Sequence, residues 1–411
     1  MITATVGADR DLIKNVASLA RGTFAARADR YDRDAAFPAE DFADLYRSGL
    51  HAPAVPRSHG GLGLGPEAGL YDLWMMTKEL ARADMALARC WEGHVNSQLL
   101  LNALGDERQK DRWFQGIVER GEVWAAWSGE PQARIPGQKT RFGTTVRPTT
   151  GGFSISGTKV FATSARNARW AILLVNIHGP GGARHSTAAD GVLLLACDLT
   201  APSIRFDETW WDPIGMRGTV SYLVHFDETF IPSTNQIGQR GQYLQEGWQA
   251  RFSPHYGATF LGGAEGAYDY ATNYIRTQDR ASDPYIQQRV ATMALNLQSA
   301  HLWLRQVADL WQADQQADAK SAGNRARYLL EGWAMDTVQQ ALHSCGARAL
   351  IRPSPLERIY RDLSFYILHD NSDHVLATIG REILGQSHDR SFFNPSTGLT
   401  RRDTNNHEPE D

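Results

Sequence analysis

A short stretch near the C-terminus, residues 369–374, brings potential metal-binding side chains close together. It contains His369, Asp370, Asp373 and His374, and these two histidines are the closest pair among the 13 in the chain. Imidazole and carboxylate groups bind zinc, but a stable site needs three or four ligands in one geometry. No third histidine or cysteine stands at a metal-binding spacing, so we predict no metal site.

A glycine-rich run at residues 60–65, GGLGLG, is a candidate for dinucleotide binding. The GxGxxG spacing is absent, no strand pattern precedes the run, and no βαβ pattern surrounds it, so we predict a loop. The sequence also lacks the P-loop, HExxH and GxSxG motifs. Nothing in the chain is therefore predicted to bind a nicotinamide cofactor in the Rossmann manner.

Composition excludes several classes of protein. The 411 residues carry a net charge of −4, from 42 Lys and Arg against 46 Asp and Glu, which argues against a nucleic-acid binder. The three cysteines, Cys90, Cys197 and Cys345, are too few and too far apart for a disulfide framework. No apolar run reaches the ~18 residues of a membrane-spanning helix, and no signal peptide is evident. We expect a cytoplasmic protein without a membrane partner.

The hydrophobic pattern divides the chain into helices, strands and helices again, which indicates the α+β class. Apolar residues recur at helical spacing up to about residue 120, and alternation with a Gly-Gly turn near Gly151 predicts a β-domain. Long helical patterns follow to about Leu384. The predicted units are a helical domain at 1–121, a β-domain at 122–238, a helical domain at 239–393 and a polar tail at 394–411.

Several segments, taken in order, are similar to those of the acyl-CoA dehydrogenase flavoprotein superfamily. They are VPRSHGGLG at 55–63, WSGEP at 127–131, GFSISGTKVFATSA at 152–165, IGMRGT at 214–219, FDETFIP at 226–232 and ERIYRDLSFYILHD at 357–370. The resemblance spans about residues 35–385. It implies an N-terminal helical domain, a central antiparallel β-barrel, a C-terminal four-helix bundle and a homotetramer.

The superfamily contains acyl-CoA dehydrogenases and also monooxygenases in which reduced flavin activates oxygen. This sequence departs from the dehydrogenases at three places. The stretch after Glu130 lacks Gly-Ser-Asp, the run at 274–285 lacks Phe-Gly, and His369-Asp370-Asn371-Ser372 replaces Tyr-Glu-Gly-Thr. The second and third departures resemble the branch of dibenzothiophene monooxygenase.

The resemblance assigns cofactor-binding roles to individual positions. Phe161 and Thr163 match the strand beside the isoalloxazine ring, and Trp211 matches an aromatic residue next to the ring. Arg280 and Arg348 match two arginines that hold the flavin phosphate, and two guanidinium forks on one terminal phosphate suit FMN. The alternatives are that the first three are core residues and that the arginines form surface or interface ion pairs.

The resemblance also assigns catalytic roles to Thr163, His369 and Asp370, with His369 serving in cofactor binding as well. Histidine suits proton transfer near neutral pH, which a flavin hydroperoxide requires. A structural histidine at 369 and a helix cap at 370 are the alternatives.

On the substrate side, the resemblance places His94 and Trp127. His94 is equally compatible with helix packing. Arg89, Gly93 and Ala126 stand where the sulfur-oxidising relatives carry His, Tyr and Asn, so the substrate is expected to differ from dibenzothiophene.

The resemblance implies a two-component monooxygenase that uses FMNH2 and O2. A flavin C4a-hydroperoxide would oxygenate a small organic substrate at sulfur, nitrogen or an aromatic carbon, and a separate NAD(P)H:flavin reductase would supply the reduced flavin. One alternative is an FAD-dependent dehydrogenase or nitroalkane-oxidase-like oxidase with Asp370 as base. Another is a flavin-binding protein without catalytic activity.

Overall fold

The structure, a computed structural model, describes residues 5–131, 144–177, 191–369 and 371–386. Asp370, the segment that follows Pro131 and the predicted tail at 394–411 lie outside the described residues. Within those ranges no helix is long and apolar enough to cross a membrane.

In the described residues six α-helices precede the first strand, and capping residues fix where the later ones begin. Asp84 accepts a hydrogen bond from the backbone N–H of Ala86, and Asp106 forms a capping box with Gln109. Gly121 then ends the last of the six in the left-handed conformation. The helices are α1 (Thr5–Leu19), α2 (Ala25–Asp34), α3 (Ala39–Arg47), α4 (Leu70–Ala83), α5 (Met85–Leu104) and α6 (Glu107–Arg120), with a π-helical turn at Ala20–Phe24.

The middle of the chain forms one eight-stranded sheet. Its strands are β1 (Trp124–Trp127), β2 (Thr145–Thr149), β3 (Gly152–Ala162), β4 (Trp170–Ile177), β5 (Val192–Asp198), β6 (Ile204–Asp207), β7 (Tyr222–Pro232) and β8 (Gln236–Ile237). The order across the sheet is β6-β7-β3-β2-β4-β5-β8, and β1 also pairs with β4. The predicted hairpin is present, because β2 and β3 pair in antiparallel fashion from Thr149 opposite Gly152.

The expectation of a closed antiparallel barrel is wrong in two respects. β1 and β2 each run parallel to β4, with Trp124 opposite Trp170 and Thr145 opposite Asn176. The β2–β3 hairpin lies between β1 and β4 in sequence, and a long crossover of this kind makes parallel pairing possible. In the described part of the chain, β6 and β8 end the sheet without pairing with each other, so the sheet is mixed and open.

The C-terminal part is helical, as predicted, and three helices of about 30 residues dominate it. Its helices are α7 (Gln242–Gln245), α8 (Trp248–Thr277), α9 (Pro284–Gln312), α10 (Gln316–Cys345), α11 (Pro355–Tyr366) and α12 (Ser372–Ile383). Short 3-10 turns at Ala347–Leu350 and Ile367–His369 flank α11. α8, α9 and α10 pack on one another, and α4 packs on α8. The change from helix to strand and back falls near the predicted domain boundaries, which stay a prediction.

A buried histidine of α8 joins three helices. Nε2 of His255 lies 2.7 Å from Oγ1 of Thr77 in α4, and its Nδ1 lies 2.8 Å from Oδ1 of Asn96 in α5. Burial lowers the pKa of His255 to about 3, and the positive charge of Arg89 acts in the same direction. The native state therefore holds this imidazole neutral at ordinary pH.

This buried imidazole makes a testable contribution to acid sensitivity. Below pH 6.5 the unfolded state takes up a proton on His255 and the native state does not, so stability falls as pH falls. Each pH unit between about 6.5 and 4 should remove up to about 1.4 kcal/mol through this one group. We expect urea unfolding of His255→Gln to show a shallower pH slope than the parent by about that amount. Equal pH slopes of stability in the parent and in His255→Gln would contradict a neutral His255 in the native state.

Candidate functional site

A set of aromatic rings lines the surface where β3 ends. Phe161 has a φ of +53°, rare for a bulky residue, and its ring is 53% exposed. The β3–β7 register shifts between Lys159 and Ala162, and this irregularity turns the Phe161 side chain outward. Its ring lies edge-on to Trp210 at 5.1 Å and to Trp211 at 6.4 Å, between ring centroids. Phe161, Trp210 and Trp211 are called the aromatic wall below.

The loop that carries the two tryptophans is held against α11. The backbone N–H of Met216 donates to Asp362, 2.5 Å away, and a Cβ on Gly215 would lie 2.3 Å from a backbone oxygen of α11. Only glycine allows that close approach. The indole N–H of Trp211 donates to the Arg217 carbonyl at 2.9 Å, and its ring lies 6.0 Å from Phe365. The aromatic wall is thereby continuous with α11.

Hydroxyl groups lie beside the aromatic wall. Oγ1 of Thr163 is 3.1 Å from Oγ of Ser221, which is 2.8 Å from Oγ1 of Thr219. A hydroxyl both donates and accepts, so Thr163 can present either function to a ligand. The indole N–H of Trp127 donates to the Thr163 carbonyl at 2.9 Å. Trp127 is 2% exposed and lies beneath this threonine, which gives it little surface for substrate.

His369 ends the 3-10 turn after α11 and lies between two tyrosine rings. Its ring centroid is 5.0 Å from that of Tyr256 and 5.7 Å from that of Tyr366. The side chain is accessible to water, although protein surrounds it closely. Burial lowers its pKa well below the usual value, and the charges of Arg89 and Arg327 lower it further. A neutral imidazole follows, with one nitrogen that donates and one that accepts.

A buried polar network adjoins His369, and the sequence did not reveal it. The Glu92 carboxylate is fully buried and accepts from Arg89 Nη1 at 2.7 Å and from Thr259 Oγ1 at 2.9 Å. The Tyr366 hydroxyl donates to both of its oxygens, at 3.0 and 2.9 Å. Burial raises the pKa of Glu92, and Arg89 opposes that effect. The one signal in the sequence was that Arg89 and Glu92, three residues apart, carry opposite charges on the otherwise mostly apolar α5.

Arg280 and Arg348 are both found at the C-terminal end of α10. Nη1 of Arg280 donates to the Ser344 carbonyl at 2.9 Å, and Arg348 follows in the next 3-10 turn. Arg327 of the same helix reaches the turn that carries His369, through the Ile367 carbonyl at 3.5 Å. Ser344 and Arg327 are 17 residues apart, or about 25 Å along a helix. The ribityl chain of one flavin cannot span that distance within this chain.

His94 lies in the core and not on an open surface. Its Nδ1 accepts from the backbone N–H of Trp124 at 3.1 Å, and its Nε2 lies 2.9 Å from the His51 carbonyl. The side chain is fully buried, and burial lowers its pKa. Of the two alternatives left open by the sequence, this placement favours helix packing.

A separate surface cleft of about 650 Å³ contains none of the predicted site residues. Its charged side chains largely pair with one another: Arg361 bonds Asp32 at 2.6 Å and Arg217 bonds Asp212 at 2.8 Å. Across the described ranges no three His, Cys, Asp or Glu side chains are arranged to hold a metal ion. The aromatic wall and His369 are therefore the candidate site, without Asp370, which is not described.

Two family profiles match the N-terminal and C-terminal helical parts of this chain. The profile of the acyl-CoA dehydrogenase N-terminal domain matches residues 8–121, and that of the acyl-CoA dehydrogenase C-terminal domain matches residues 255–373. Together the two matches cover more than half of the chain.

Individual relatives are distant but match over most of their length. A putative acyl-CoA dehydrogenase of Bacillus subtilis is 27% identical, over 81% of this chain and 86% of its own length. A dibenzothiophene monooxygenase of Mycolicibacterium goodii is 25% identical, over 84% and 87%. The crystal structure of FMN-bound TdsC from Paenibacillus sp. A11-2 superposes with a TM-score of 0.82 at 22% identity, over 93% and 100%.

Proposed function

This chain belongs to the acyl-CoA dehydrogenase family, and from that membership we propose that it is a flavin-dependent monooxygenase using reduced FMN and O2. The observation that carries the proposal is His369: its imidazole contacts the rings of Tyr256 and Tyr366, and its surroundings lower its pKa well below the usual value. The relatives named dibenzothiophene monooxygenase and the likeness to FMN-bound TdsC support it. The substrate is proposed to be a small organic molecule oxygenated at sulfur, nitrogen or an aromatic carbon.

The residues present fit a flavin. The exposed rings of Phe161 and Trp210 offer an apolar surface, and the Thr163 hydroxyl can donate to or accept from a ring nitrogen. Bound reduced flavin would supply the electrons that activate O2. The protein's own contribution would be to exclude water with Phe161 and Trp211, to orient the ring through Thr163 and to hold or move a proton on the His369 imidazole.

A dehydrogenase reaction would require a carboxylate base that is free to take a proton from the substrate. Glu92 is the buried carboxylate next to His369's ring partner Tyr366, and three donors already occupy it. This observation favours oxygen chemistry over proton abstraction by Glu92. The alternative with Asp370 as base concerns a residue that the structure does not describe.

The decisive experiment measures flavin binding and oxygen transfer in the same preparation. We expect FMN to bind more tightly than FAD, and the reduced form more tightly than the oxidised form, in anaerobic titrations. With reduced FMN and ¹⁸O2, one labelled oxygen should enter a thioether, amine or indole from a test panel. A protein that purifies with FAD and reduces it with an acyl-CoA, without added reductant, would overturn the proposal.

We further propose that a separate NAD(P)H:flavin reductase supplies the reduced FMN, because the sequence lacks a nicotinamide-binding motif. The three cysteines are free and buried, in keeping with a reducing, cytoplasmic location.

The arginine pair at the end of α10 is proposed to hold the phosphate of a flavin bound mainly by a neighbouring subunit. The arginine pair lies about 25 Å along α10 from Arg327, the residue that reaches the turn carrying His369. One flavin in the same chain cannot reach both the arginine pair and His369, which supports this proposal. We expect Arg348→Ala to weaken FMN binding by about 1.5–3 kcal/mol, the range for hydrogen bonds to charged groups, and Arg280→Ala to do the same. Fluorescence titration measures this.

Arg289→Ala is the matched control for the arginine pair. Arg289 donates to the His343 carbonyl at 3.1 Å, at the same helix end, just as Arg280 donates to Ser344. Its removal should leave FMN affinity unchanged. Equal losses in all three variants would mean that the arginines act only on the helix end and not on the flavin.

A shared flavin site requires an oligomer, and we propose a homotetramer. Leu295 and Leu302 are two turns apart on α9, and each is 64% exposed. Such exposed apolar residues on one face fit burial against another subunit. We expect the double variant Leu295→Glu/Leu302→Glu to sediment as a smaller species than the parent and to bind FMN more weakly. Phe230→Glu, at an exposed ring on β7, should change neither property.

A further inference from the structure

We propose that Arg89 binds an anionic group of the substrate, such as a carboxylate, sulfinate or sulfonate, in open space beside Gly93. The proposal rests on the proposed function, because it names the substrate class of the same site. It makes Arg89 a specificity-determining residue of an otherwise aromatic pocket.

The first observation is that Arg89 and His369 face the same two rings. The Arg89 guanidinium carbon lies 5.9 Å from the ring centroid of Tyr256 and 5.7 Å from that of Tyr366. The His369 ring contacts both of these rings as well. A substrate held by Arg89 would therefore lie next to His369.

The second observation is that the Arg89 guanidinium retains donors for a ligand. Within the described residues its one hydrogen-bond acceptor is Glu92, through Nη1, and its side chain keeps 13% of its surface accessible. Glu92 also accepts from Tyr366 and Thr259, so its charge does not depend on the arginine alone. A guanidinium carries five N–H donors, and a planar oxyanion can use two of them at once.

The third observation is the open space on the same face of α5. Gly93 follows Arg89 by four residues, one helical turn, so the two positions share a face. A Cβ placed on Gly93 would meet no atom within 4 Å, and Gly93 is partly accessible. Open space thus lies one helical turn from Arg89, on the same face of the helix that carries the Glu92 network.

The charge of this pocket favours an anion. Arg89 and Arg327 are the charges that act on His369, and both lower its pKa, which indicates a positive potential at the imidazole. An oxyanion on Arg89 would be attracted by that potential, whereas a neutral substrate would gain nothing from it.

Binding tests of the full-length protein with oxidised FMN decide the proposal without any oxygen chemistry. We expect calorimetry to show benzoate and benzenesulfinate binding at least about tenfold more tightly than the neutral benzamide, from charge-assisted hydrogen bonds. Arg89→Gln should abolish that preference, and Arg89→Lys should restore part of it. Gly93→Leu, which fills the open space, should weaken all three probes alike.

Two further variants distinguish a loss of anion binding from a loss of the folded structure. Arg89→Gln/Glu92→Gln removes both charges together, so no buried carboxylate is left unpaired, and it should lose the anion preference like Arg89→Gln. Arg112→Gln removes an arginine that also contacts two rings, those of Trp113 and Trp170, and should bind the probes like the parent.

The outcomes separate this proposal from the proposed function. Equal affinity of the parent for benzoate and benzamide, or an unchanged preference in Arg89→Gln, overturns the anion site even if the enzyme oxygenates neutral substrates. Anion binding that depends on Arg89 in a protein that transfers no oxygen supports the anion site and overturns the proposed function instead.

Discussion

Replacing His369 with alanine is expected to lower product formation by ~10²-fold or more, the usual contribution of a positioned acid or base. FMN should still bind, because the proposed phosphate ligands lie at the far end of α10. Reduced flavin should still be consumed, with oxygen recovered as hydrogen peroxide instead of in product. Product, peroxide and flavin oxidation are measured together in one assay.

His369→Gln separates the two roles that the imidazole can play. Glutamine keeps a donor and an acceptor but cannot shuttle a proton. An active glutamine variant would show that His369 only holds a reacting group in place by hydrogen bonding and transfers no proton. His374→Ala, five residues further on in α12, is the matched control and should behave like the parent. Normal turnover of His369→Ala would remove the site assignment and favour the oxidase alternative.

The pH dependence of the same reaction follows from the surroundings of His369. Burial, Arg89 and Arg327 keep its pKa well below 6.5. The imidazole therefore stays neutral to a lower pH than an unperturbed histidine would. Sequence alone gives only the unperturbed value, because Arg89 and Arg327 lie 280 and 42 residues away in the chain.

Local patterns predicted most of the fold. Alternation around Gly151 predicted the β2–β3 hairpin, and the end of the helical spacing near residue 120 predicted where the N-terminal helices stop. The parallel pairing of β1 with β4 was not predicted, because strand order depends on contacts between residues about 46 positions apart. The start of α8 cannot be taken from local rules either, because proline usually ends a helix, whereas Pro254 lies inside α8 and its ring packs on Gly323 of α10.

The candidate site was predictable only where a motif carried it. Phe161 and His369 stand in motif segments, and Trp211 stands three residues before one. The structure brings Phe161 to Trp211 and Trp211 to Phe365, and it places His369 against Tyr366 of the same helix, α11. Thr259 and Tyr366 meet Glu92 from two other helices, and no spacing in the sequence links them. Long-range packing decides such networks, so they appear only in the folded chain.

The WSGEP motif at 127–131 has a structural role in addition to the one that the resemblance suggests. Glu130 bonds the ammonium of Lys159, which is fully buried in β3 and also donates to the Leu174 carbonyl at 2.6 Å. The other oxygen of Glu130 accepts from the backbone and the hydroxyl of Thr144, at 3.1 and 3.2 Å. One ion pair thus ties three segments together just before β3 reaches Phe161.

Breaking this ion pair from one side should cost the native state far more than removing both charges. Lys159→Met leaves Glu130 buried without its cation, and we expect the free energy of unfolding to fall by about 3–5 kcal/mol. Adding Glu130→Gln removes the stranded charge while an amide oxygen still faces Thr144, so the double variant should regain at least about 1 kcal/mol. Urea unfolding of the parent, both single variants and the double variant at pH 7 closes the cycle. Additive losses would show that Lys159 and Glu130 contribute independently, and that the motif does not hold the strand through this pair.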